Sequence, residues 1–130
     1  MRPVRPLAGV AAVLVLQAVV GLLGTAADAG GGGAHNSGHC SRHADWELRA
    51  QPDNARIRVR GEVDSSRAGQ HWRWRILHAG AVAARGRATT RGGGDFDVER
   101  LILDSPGHDR IGWRATNRAS GETCRGGLTY

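Results

Sequence analysis

In "HWRWRILH", residues 71–78, apolar and basic side chains alternate one for one, with Trp72, Trp74 and Ile76 set against Arg73 and Arg75. "ARIRVRGEVD" repeats the pattern, with Ile57, Val59 and Val63 against Arg56, Arg58, Arg60, Glu62 and Asp64. Successive side chains of a strand point to opposite faces, so a period of two marks a half-buried antiparallel strand. "DWELRA" (Trp46, Leu48), "AVAARGRATT", "GDFDVERLIL" (Phe96, Val98), "DRIGWRATN" (Ile111, Trp113, Ala115) and "ETCRGGLTY" complete a set of seven predicted strands. The alternation of the fifth slips at Arg100, which predicts a bulge or a strand end there. Turn-forming residues separate the strands, among them Pro52-Asp53-Asn54, Ala79-Gly80 and Asn117 to Gly121. No helical period occurs in this part of the chain, and seven short strands predict an all-β sandwich. Trp72 and Trp74, on the face shared with Ile76, are expected in its core.

The chain starts differently. Arg2 and Arg5 precede an apolar run from Leu7 to Leu23, and "ADA" (Ala27, Asp28, Ala29) offers a small-x-small cleavage site. This is the layout of a secretory signal peptide, predicted as a helix over residues 1–29 and cleaved near Ala29. An uncleaved membrane anchor is the alternative, because the run approaches the length that spans a bilayer. Residues 30–43, "GGGGAHNSGHCSRH", hold no large apolar side chain and are expected to form a flexible lead-in to a domain over 44–130. Two cysteines in an exported chain predict a disulfide between Cys40 and Cys124.

Residues 104–121, "DSPGHDRIGWRATNRASG", resemble the strand-F region of immunoglobulin-like domains. Ala115, Asn117 and Gly121 match; Ile111 stands where the family has its corner tyrosine and Trp113 where it has a cysteine. The domain as a whole resembles small secreted immunoglobulin-like proteins of GC-rich bacteria. The resemblance implies a seven-stranded antiparallel Ig-like β-sandwich, a fold that hosts many roles and selects none.

Candidate chemistry is sparse. Ser65, Ser66, His71 and Asp64 gather around one turn, but serines there read as turn formers rather than nucleophiles. In "GHDR", Asp109 reads as a turn residue bonding nearby backbone N–H groups. The chain is therefore read as non-catalytic, with no cofactor expected. His35, His39 and His43 flank Cys40, and imidazole suits zinc or copper, so a metal-binding lead-in is the alternative function.

The net charge is +6, and all 18 basic residues apart from histidine are arginine. Coding bias alone can supply many arginines, so their placement matters more than their number. In an Ig-like arrangement the first, second and fifth strands share a sheet. Arg49, Arg56, Arg58 and Arg60 would there face Asp45, Glu47, Glu62, Asp64, Asp95, Asp97 and Glu99, with the second strand pairing to acids of the fifth. The third and sixth strands form the other sheet, whose outer face gains two more arginines if the fourth strand joins it. Arg73, Arg75, Arg85, Arg87 and Arg114 would then alternate with no acid, which predicts a face for an anionic partner. An anionic cell-wall polymer or an acidic extracellular protein are the partners expected outside a cell.

Overall fold

The structure, a computed structural model, describes Val4 and residues 32–130. The predicted signal helix, its cleavage site and the anchor alternative lie outside the described residues. The strands are β1 (Ala34–His39), β2 (Asp45–Asp53), β3 (Arg56–Asp64), β4 (His71–His78), β5 (Ala81–Thr89), β6 (Asp95–Leu103), β7 (Arg110–Asn117) and β8 (Thr123–Thr129). They form two antiparallel sheets of four, ordered β1-β2-β3-β6 and β5-β4-β7-β8. The fourth predicted strand, β5, does join the sheet of β4 and β7, as its edge.

The inner faces interlock through tryptophan. Trp46, Leu48, Ile57, Val59, Val63 and Phe96 of one sheet meet Trp72, Trp74, Ile76, Ile111 and Trp113 of the other, and all are buried. Trp74 and Trp113 stack with centroids 6.3 Å apart, and Phe96 tilts against Trp72 at 6.0 Å and Trp113 at 6.4 Å. Each sheet also offers a glycine to the other's indole. A Cβ on Gly61 would stand 2.4 Å from the Trp113 ring, and one on Gly126 would stand 2.0 Å from that of Trp46. Indoles bury about 200 Å² each, and these two need the missing Cβ to reach full contact. The alternating tryptophans of "HWRWRILH" are thus core residues, and its arginines point outward.

Two expectations need correction. Residues 34–39 are not a flexible lead-in; they form an eighth strand paired with β2 from Ala34↔Ala50 to His39↔Asp45. Backbone pairing does not require apolar side chains, which is why a strand so polar shows no period of two. A seam along its edge ties it to the second sheet. Asn36 Nδ2 donates to the Gly127 carbonyl at 2.7 Å, and Ser41 and Thr123 exchange hydrogen bonds of 2.8 and 2.9 Å. The carboxylate of buried Glu122 accepts from the N–H groups of Arg42 and Ala44 at 3.1 and 2.8 Å. Cys40 and Cys124 are disulfide-bonded across 84 residues; closing such a loop contributes about 4 kcal/mol.

The second correction concerns Arg100. β6 pairs with β3 without interruption from Asp95↔Asp64 to Leu103↔Arg56, so there is no bulge at that residue. Arg100 keeps the inward parity, and its guanidinium lies over the Trp74 ring at 4.9 Å from the centroid. A long stem with a charged head can cover an indole and still reach water, which admits arginine at an inward position near an open edge. The register shift falls instead in the β4–β5 pairing, where Ile76↔Ala84 is followed by Leu77↔Val82 and Ala83 of β5 is the extra residue, next to the hairpin. That hairpin turns on Ala79 and Gly80, both at positive φ (50° and 84°), the form that follows strand twist.

Candidate anion-binding face

Strand register arranges the outward arginines of β5-β4-β7-β8 into rows. Arg85 pairs with Arg75, Arg75 with Arg114, and Arg114 with Arg125, so one arginine stands on each of the four strands in a single line. In the next row Arg87 pairs with Arg73, then Thr116 and Thr123 continue with hydroxyls. On the other side of the arginine row, Leu77, Gly112 and Gly127 form a low floor, and Arg110 opposite Thr129 rises beyond it. The two arginine-bearing rows line a shallow concavity of about 840 Å³. Among the described residues no ion pair involves Arg73, Arg75, Arg85, Arg87, Arg114 or Arg125. Like charges directly opposite on neighbouring strands are destabilising, so this face carries an unrelieved cost.

The other outer face treats the same side chain differently. Arg58 reaches Glu99 at 3.5 Å and also Asp53; Arg60 reaches Asp97 at 3.4 Å and Glu62 at 3.6 Å. Arg49 pairs with Glu47, and Arg91 bonds Asp95 at 2.9 Å and Asp97 at 2.6 Å. The pairing of β3 arginines with β6 acids is the one expected from sequence. The acids themselves lie in two rows, Asp45-Asp64-Asp95 and Glu47-Glu62-Asp97. Burial raises the Glu62 carboxyl above its usual range; Arg60 opposes this, and Glu47, Asp95 and Asp97 add to it.

The remaining candidate residues do not converge. His35 and His39 are four residues apart on β1, about 13 Å along a strand, and each faces its own carboxylate. His35 lies 3.8 Å from Glu47 and His39 2.5 Å from Asp45, while His43 is exposed in the following bend. The Cys40 sulfur is taken by the disulfide, and the described residues contain no group of three or more His, Cys, Asp or Glu placed to hold a metal. The alternative metal site therefore lacks a common centre. At the other turn, Ser65 Oγ donates to the Gly94 carbonyl at 3.0 Å, the Ser66 N–H donates to Asp64, and His71 contacts Thr89. These are turn and cross-strand contacts.

Asp109 does more than a turn residue. It is 2% exposed, lies 2.5 Å from His78 Nε2, and accepts from the Ser105 N–H at 3.2 Å. Its backbone pairs in both directions with Tyr130, so it pins the loop after β6 beneath the last strand. Burial pushes its carboxyl up, but the hydrogen bonds from His78 and Ser105, with the charge of His78, outweigh that and hold it below the usual range. Asp104 is held above its usual range by the neighbouring Asp109 carboxylate and by burial.

Arg125 completes the four-strand row and was not among the residues singled out from sequence. Its neighbours in "TCRGG" give no clean alternation, and its place in the row follows only from the β7–β8 register. Comparison of the chain with known protein families, with curated proteins and with solved structures finds no match.

Proposed function

We propose that this chain is a secreted, non-catalytic binding module whose β5-β4-β7-β8 face holds an anionic partner. The single observation that carries the reading is the row Arg85-Arg75-Arg114-Arg125, in register across four strands and without an acid. Arginine forks pair bidentately with carboxylate and phosphate, so an anion in the concavity would relieve the repulsion and gain charge-assisted hydrogen bonds. The order β5-β4-β7-β8 beside β1-β2-β3-β6 is what an Ig-like sandwich would give if β4, β7 and β8 are its C, F and G strands, with β5 added at the edge. The Cys40–Cys124 bridge is compatible with an extracellular location.

The test is retention of the purified protein on cell-wall material and on immobilised polyanions over a salt gradient, beside a variant with Arg73, Arg75, Arg85 and Arg87 changed to serine. Salt-sensitive retention that the variant loses supports the reading. Equal behaviour of the two proteins rejects it.

A further inference from the structure

Resting on that reading, we infer that the face takes a linear phosphate polymer lying across the strands rather than an acidic peptide lying along them. Paired residues on adjacent antiparallel strands stand about 5 Å apart, so the row from Arg85 to Arg125 spans about 15 Å. Along a strand, side chains on one face recur only every 6.8 Å or so. An extended acidic peptide laid parallel to the strands would match that longer pitch. It would find two arginines on β4 (Arg73, Arg75), on β5 (Arg85, Arg87) or on β7 (Arg110, Arg114, four residues apart), and one on β8. A chain crossing the strands meets four.

Phosphate polymers carry charge densely enough to use all four. A nucleic-acid strand places a phosphate about every 3.4 Å of axis, and each guanidinium can fork onto phosphate oxygens. The floor beside the row fits the same occupant. Gly112, against which the Leu77 side chain lies, pairs with Gly127, and these residues with Arg110 line a second concavity of about 430 Å³ beside the row. The segments that link phosphates can lie there while the phosphates face the row. Bases would add nothing, because Trp46, Trp72, Trp74, Trp113 and Phe96 are all buried and the face offers no stacking platform. The face thus reads the spacing of charge and is indifferent to nucleobases.

The experiment measures affinity of the purified protein for inorganic polyphosphates of increasing length, from pyrophosphate upward, with poly-glutamate and single-stranded DNA of matched charge as further arms. Affinity is expected to climb with each phosphate until the row is covered and then flatten, with DNA bound no more tightly than polyphosphate. Arg114→Ser breaks the row and should cost about tenfold and reduce the salt slope by about 0.7. Arg87→Ser removes the same charge one row away and should cost about threefold. Arg114→Lys restores the charge without the fork, so it should recover the salt slope but not the affinity. Melting no lower than that of the wild type establishes that each variant is folded. Equal losses at Arg114 and Arg87 overturn the row while leaving an anion-binding face. Tighter binding of poly-glutamate overturns the phosphate class. Absence of salt-sensitive binding to every polyanion overturns the proposed function itself.

Discussion

On the outer face of β2, β3 and β6, Arg58 reaches Glu99 and Arg60 reaches Asp97; on the outer face of the other sheet, Arg75 stands between Arg85 and Arg114. The two faces belong to one small domain and share a single core, so neither composition nor overall stability distinguishes them. Coding bias can supply arginine to both. It does not supply acids to one sheet and withhold them from the other, and it does not set four arginines in one row. A face left with unpaired like charges lowers the stability of the fold unless something outside the chain neutralises it.

The inner faces provide the control, because there the sheets are alike. Gly61→Ala and Gly126→Ala each drive a Cβ into an indole of the opposing sheet, and each should cost about 3 kcal/mol by denaturant unfolding. If one is tolerated, the two halves of the core are not equivalent.

Acid should sharpen the contrast from the other side. Asp109's carboxyl is held below its ordinary value, so the stability it contributes is complete above about pH 3.9 and is lost as pH falls through its lowered value. Asp104 has the opposite sign: its contribution is present below its ordinary value and fades as pH rises through the raised one. Wild type should therefore lose melting temperature below pH 4 more steeply than Asp109→Asn. Parallel curves would remove Asp109 from the account.

The smallest effect is the most specific. At low salt, Arg60→Ser should lower stability by about 0.5 kcal/mol, because it removes contacts to Asp97 and Glu62, and Arg75→Ser should raise it by a similar amount. Two losses would mean that the row carries no repulsion.

Much of this was legible in the chain. The period of two in β2 to β4 separates tryptophan from arginine, and the strand order then assigns those arginines to opposite sheets. The β3–β6 ion pairs followed from the same reasoning. β1 was not legible, because a strand held by backbone pairing, a disulfide and the Asn36 side chain needs no apolar alternation. Arg100 misled because its inward position is occupied by a cation covering Trp74, where local pattern expects a hydrophobe. Arg125 and the glycine floor were missed because a row across strands depends on register between distant segments.

On the proposed function one face, and not the net charge, binds the anion. The direct measurement removes three arginines from each face in turn, Arg73, Arg75 and Arg114 in one protein and Arg49, Arg58 and Arg60 in another, all to serine. Both variants lose the same charge, and polyphosphate affinity is measured for each at one fixed salt. The first is expected to lose binding and the second to keep it within about threefold. Equal loss in both would show that the attraction is only that of a basic protein and that no one face holds the anion.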